Sequence, residues 1–90
     1  MPSSYELRVD PSARRSLQHM SERIATAVAE FITGPLLENP YRVGGALTRE
    51  LSGYRSARLG GYRIIYRVVD EQRLVRVLRV EHRSEVYRPR

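Results

Sequence analysis

The sequence has no cysteine, no tryptophan and no lysine, with one phenylalanine and two histidines. Without cysteine there is no disulfide framework, no thiolate nucleophile and no thiolate-held metal. The histidines, at 19 and 82, have no metal-ligand spacing, and no glycine-rich phosphate loop opens a helix. Neither a metal nor a cofactor is therefore expected. No stretch approaches the ~20 apolar residues that a helix needs to span a bilayer. The opening Met1 to Glu6 lacks the apolar core of a secretion signal, so no membrane partner and a cytoplasmic location are expected. At 90 residues the chain supports one domain, expected over 1–90. A domain of that size buries roughly two-thirds of its unfolded surface, too little for a large-cofactor enzyme.

What the chain has is arginine. All 16 basic residues are arginine, against 10 acids, for a net charge of +6. Residues 1–45 hold equal numbers of arginines and acids, so the whole excess lies in residues 46–90. Segregation of this kind points to a polyanionic partner. The guanidinium grips phosphate through two parallel hydrogen bonds and stays charged, so it holds phosphate well and serves poorly as a base.

Tyr5, Leu7 and Val9 alternate with Glu6 and Arg8, the period of a half-buried strand. Asp10-Pro11 is placed to start a short helix carrying Ala13, Leu17 and Met20 on one face. Ser21 caps a second helix with Ile24, Val28, Phe31 and Ile32 on its stripe, stopped at Gly34-Pro35. Residues 34–46 read as a connection with one short helical turn. Three strands follow, Tyr54 to Leu59, Tyr62 to Val69 and Leu74 to Arg83, joined by Gly60-Gly61 and Asp70 to Arg73 as an antiparallel meander. In the middle strand Tyr62, Ile64, Tyr66 and Val68 point one way and Arg63, Ile65, Arg67 and Val69 the other. Both faces of the last strand are partly apolar, as in a central strand, and its phase stays open. The expected fold is α+β: an N-terminal strand, a helical hairpin, then a three-stranded antiparallel meander. Helices cover one face of the small sheet and leave the other free to bind.

Two segments could carry chemistry: Gly61-Tyr62-Arg63, and Val80-Glu81-His82-Arg83-Ser84-Glu85-Val86-Tyr87. Arginine, histidine and tyrosine are what a metal-independent endoribonuclease needs. The 2′-hydroxyl of RNA can attack the adjacent phosphate if the protein removes its proton, holds the phosphorane and helps the 5′-oxygen leave. His82, an imidazole kept neutral among guanidiniums, suits the base. A phenol with a reference pKa near ~10 is only about one part in a thousand phenolate at pH 7, so Tyr87 suits a donor or stacking role, though a strongly electropositive site would let it be the base. Arg63 and Arg83 would clamp the scissile phosphate, with Arg55, Arg58 and Arg67 along the RNA backbone. Each also has an ordinary structural reading, from a solvated arginine face to a tyrosine that locks the tail.

Gly60-Gly61-Tyr62-Arg63-Ile64-Ile65-Tyr66, followed by His82-Arg83-Ser84-Glu85-Val86-Tyr87, resembles the RelE family of bacterial toxin-antitoxin toxins. The resemblance takes in the element order, the Pro40 to Leu47 approach loop and the Gly53 to Arg58 lead-in. It implies a fold like that of the small microbial ribonucleases, and a ribosome-dependent mRNA endonuclease (an mRNA interferase) that inhibits translation. It also implies a cognate antitoxin, and the ribosome with its mRNA, as partners. Arg63 matches the family's phosphate-stabilising arginine, and His82, Arg83 and Tyr87 its C-terminal catalytic segment. Where some relatives carry lysines before G-Y-R, this chain has Arg55 and Arg58, which moves the base toward His82 or, without a clear motif match, Glu50. The alternatives are a ParE-like toxin that inhibits gyrase without nuclease activity, and an inert RNA-binding or antitoxin-scavenging remnant.

Overall fold

Strand and helix form where the alternation and the caps predict them. A computed structural model describes residues 5–82. In chain order these residues form β1 (Glu6–Val9), α1 (Pro11–Gln18), α2 (Glu22–Thr33), the single turn α3 (Pro35–Glu38), β2 (Gly45–Ala46), β3 (Arg55–Leu59), β4 (Tyr62–Val69) and β5 (Leu74–His82). Ser21 caps α2, its hydroxyl oxygen accepting from the Ile24 N–H at 3.3 Å. Asp10 occupies the N-cap of α1 but gives that helix no side-chain bond; its carboxylate accepts from Arg76 Nε at 2.8 Å. Gly60, at φ +61, turns the two-residue β3–β4 connection in a region that costs glycine nothing.

The sheet order is β1-β5-β4-β3-β2. The expected meander β3-β4-β5 is its centre. β1 pairs parallel with β5, Val9 opposite Val77, and the two-residue β2 closes the far edge on β3. Ala13, Val28, Ile32 and Leu36 from the helices pack on Ala57, Ile64, Tyr66, Val75, Val77 and Val80, all less than 5% exposed, so the helices cover one face. No helix of the described residues is long and apolar enough to cross a membrane.

β5 resolves the phase that its sequence leaves open. Tyr66 lies opposite Val77, but Ile65 lies opposite Arg79, so Leu78 is an unpaired extra residue and the ladder slips by one. Before the bulge Val75 and Val77 face the helices; after it Val80 and His82 do. The Leu78 carbonyl is taken by the Ser12 hydroxyl of α1 at 2.6 Å, which ties the irregularity to the helix layer.

At the far end of the sheet from His82, Asp70 receives hydrogen bonds from two phenols, Tyr5 at 2.9 Å and Tyr41. Each ring also carries a guanidinium: Arg73 lies 4.2 Å from the Tyr5 centroid and Arg55 4.9 Å from that of Tyr41. The cluster ties the start of the chain, the approach loop and the β4–β5 turn together. The bond to Asp70 pushes the Tyr41 phenol up to about 12, while the bonds from Tyr41 and then Tyr5 hold the Asp70 carboxyl below its ordinary value. The raised phenol contributes stability in full below its unfolded value of 10.0, and that contribution is lost as pH rises through about 12. The depressed carboxyl contributes above its unfolded 3.8, and that contribution is lost as pH falls through the folded value. In a titration that resolves individual tyrosines, Tyr41 is expected to ionise late, near 12, with Tyr5 raised by the same Asp70 and Tyr66 raised by burial. Asp70→Asn should return Tyr41 toward about 10. A Tyr41 phenol that still ionises late in Asp70→Asn would disprove the link, whereas Tyr66, raised by burial, should stay late in both proteins.

Candidate nucleic-acid interface

Strand alternation sorts the arginines by face. Arg63 lies opposite Arg58 on β3 and Glu81 on β5; Arg67 lies opposite Arg76, which lies opposite Arg8; Arg79 lies opposite Ile65. These six arginines, from four strands, therefore share the helix-free face. Ile65, wholly buried, sits among them, flanked in sequence by Arg63 and Arg67 at i ± 2 and by Arg79 across the ladder. Glu81 shares the end row with Arg63 and Arg58, its two oxygens 3.0 Å from Arg63 Nη2 and 2.7 Å from Arg79 Nε. Arg76 is tied to Asp10, whereas Arg58 and Arg67 are exposed. Arg63 Nε is buried without a hydrogen-bond partner.

Two expected site residues lie elsewhere. Arg55 pairs with Tyr66, in phase with buried Ala57, so it is on the helix side. Its Nη2 donates to the carbonyls of Gly44 at 2.9 Å and Tyr41 at 3.2 Å, making it a brace of the approach loop and not part of one track with Arg58 and Arg67. His82 is opposite Tyr62, its ring edge-on to the tyrosine with centroids 4.7 Å apart. It belongs to the face opposite Arg63, so the two do not converge on one phosphate as the sequence suggests. The physical reason is the extra residue at Leu78, which reverses the phase of the end of β5. Arg83 and Tyr87 lie outside the described residues.

His82 instead helps line an open cleft of about 740 Å³ between α1, the start of α2 and the end of the sheet, with Ser12, Arg15, His19, Met20 and Tyr62 among its walls. His19, exposed as expected, has its Nδ1 2.7 Å from the Arg15 carbonyl; a carbonyl only accepts, so Nδ1 carries the proton. Among the described residues no group of three or more histidines or carboxylates could hold a metal ion. The signal missed in the sequence is Glu81, whose position beside Arg63 depends on the same bulge.

Residues 7–87 match the family described as "ParE toxin of type II toxin-antitoxin system, parDE". The chain is 49% identical over 84 residues to toxin RelG of Mycobacterium tuberculosis, covering 93% of this chain and 97% of that protein. It is 42% identical over 84 residues to toxin RelE of the same organism, covering 93% and 87% respectively. Among solved structures it is similar to the toxin-antitoxin complex RelBE2 from M. tuberculosis, with a TM-score of 0.86 at 48% identity over 90% of this chain and 93% of that one. On these matches, and with the meander, helical hairpin and G-Y-R strand now in register, the chain belongs to the ParE/RelE family of type II toxin-antitoxin toxins.

Proposed function

We propose that this toxin is a ribosome-dependent mRNA endonuclease, silenced by a cognate antitoxin. The observation that carries the reading is the helix-free face, to which four strands contribute guanidiniums, with Arg63 beside Arg58 in one row and Arg67, Arg76 and Arg8 in another. A single-stranded backbone laid across it meets Arg58 and Arg67 as phosphate contacts, with Arg63 at the scissile group. Cleavage proceeds by attack of the RNA's own 2′-hydroxyl and leaves a 2′,3′-cyclic phosphate. Arg63, assisted by Arg83, stabilises the phosphorane, and Tyr87 donates to the leaving 5′-oxygen. His82, on the opposite side of the sheet, supports the end of β4 through Tyr62. An antitoxin must cover or neutralise the arginine face, so its binding segment is acidic or amphipathic. The solved relative in complex with its antitoxin supports such a partner.

A ParE-like inhibitor of gyrase is the second reading, favoured by the description of the matching family. One experiment separates the two. Purified toxin is incubated with programmed ribosomes in a magnesium-buffered mixture, the mRNA ends are mapped, and gyrase supercoiling is assayed in parallel. Cleavage within the ribosome-bound codon, ending in a cyclic phosphate, is the expected result. Intact mRNA together with inhibited gyrase would replace the nuclease reading with the second.

A further inference from the structure

We infer that Glu81 takes the proton from the attacking 2′-hydroxyl, an inference that rests on the nuclease reading above. With His82 on the opposite face, a phosphate held by Arg63 needs a proton acceptor on its own side of the sheet. Glu81 is directly across the ladder from Arg63, and its Oε1 is 3.0 Å from Arg63 Nη2. A phosphate gripped by the remaining edge of that guanidinium is one guanidinium away from the carboxylate. That separation suits a 2′-oxygen bound to the ribose next to the scissile phosphorus.

The carboxylate is held and reachable at once. Its side chain is 20% exposed; Oε1 is held by the hydrogen bond from Arg63 Nη2 at 3.0 Å, and the second oxygen forms an ion pair with Arg79, whose Nε at 2.7 Å is not aligned to donate a hydrogen bond. An ionised carboxylate only accepts, with more lone-pair sites than these two contacts occupy. The other described carboxylates on this face are poorly placed: Glu6 is on the edge strand β1 and Asp10 is bound to Arg76. In the step, the 2′-hydroxyl proton passes to a Glu81 oxygen while the O2′–P bond forms. The P–O5′ bond breaks with its electron pair left on O5′, which takes a proton from Tyr87 or water. The products are a 2′,3′-cyclic phosphate and a 5′-hydroxyl.

The competing role is charge balance, a carboxylate that merely separates two arginines. The two roles predict opposite effects of Glu81→Gln. As a base, its loss should slow single-turnover cleavage on programmed ribosomes by roughly 10² to 10⁴, with ribosome affinity unchanged or tighter. Glu81→Asp, which keeps the carboxylate on a shorter stem, should recover at least about tenfold of that rate, a share of the general-base effect. Ribosome affinity and the thermal midpoint, measured on the same full-length variants, report on folding. Glu81→Gln cleaving at or above the parental rate would overturn the assignment. So would equal losses in both variants accompanied by a lowered midpoint, which would make Glu81 structural. A parental protein that leaves ribosome-bound mRNA intact fails at the nuclease reading, and the role of Glu81 falls with it.

Discussion

Arg63→Ala is expected to slow single-turnover cleavage of ribosome-bound mRNA by roughly 10² to 10³, the loss typical of removing one preorganised donor from a developing oxyanion. Arg63 is a strand residue, in register with Arg58 and Glu81, and its guanidinium is aimed by the bond to Glu81. Its side chain is 33% exposed, so truncation removes a half-screened ion pair and leaves the apolar core intact. The thermal midpoint should therefore change little while the rate collapses. Arg63→Lys keeps a charge but loses the planar fork, and should fall between the two.

His82→Ala is the contrasting variant. Since His82 shares the face of Val80 and Tyr62, its loss should cost less than about tenfold in rate, below what removing a general base costs. If His82→Ala lost as much as Arg63→Ala, RNA would have to reach around the end of the sheet to the histidine, and the two-faced arrangement would be the wrong description. Equal activity in the parental, Arg63→Ala and His82→Ala proteins would remove the arginine face from the chemistry altogether.

Gly44→Ala should be the most destabilising single-methyl change in the approach loop. A Cβ there would lie 2.5 Å from the Ser56 carbonyl oxygen and would collide with the Tyr66 hydroxyl. Tyr66 cannot yield, because its ring is wholly buried and its hydroxyl donates to the Pro40 carbonyl at 2.6 Å. The loop must move, which breaks the Arg55 bond to the Gly44 carbonyl and disturbs the Gly45–Ser56 pairing. Overpacking of this kind costs about 1–3 kcal/mol, and a lost hydrogen bond adds about 1. For a domain of this size that lowers the melting midpoint by roughly 10–20 °C. Gly45→Ala, whose Cβ meets nothing within 4 Å, should stay within about 0.5 kcal/mol of the parent. Equal melting of the two variants would refute the tight fit.

The elements were legible because their signals are local. Period-two alternation located β1 and β4, the Gly60-Gly61 turn set β3 before β4, Ser21 located the start of α2, and Gly34-Pro35 its end. The displacement of Arg55 was also within reach, since it alternates in phase with Ala57 and Leu59 and out of phase with Arg58. Charge drew the eye to it where phase did not. Three features were not legible. β2 is two residues long, too short for any periodicity, and exists because Arg55 and Gly44 hold the loop against β3. The parallel docking of β1 on β5 joins residues nearly 70 positions apart and has no local mark. The side of the sheet on which His82 and Glu81 stand turns on one unpaired residue, and a run of Val, Leu and Arg does not show where a ladder will skip.

That skip makes the end of β5 a matter of parity. The same strand with Leu78 paired in the ladder would present each later side chain to the other side: the imidazole would join the guanidiniums and the glutamate would turn toward the helices. A relative one residue shorter there, with an unbroken ladder, would keep these faces, whereas one of equal length without the bulge can share every letter of the terminal segment and still display a different set of groups to RNA. The hydroxyl of Ser12, by catching the spare carbonyl, selects between two chemical surfaces encoded in the same nine-residue strand.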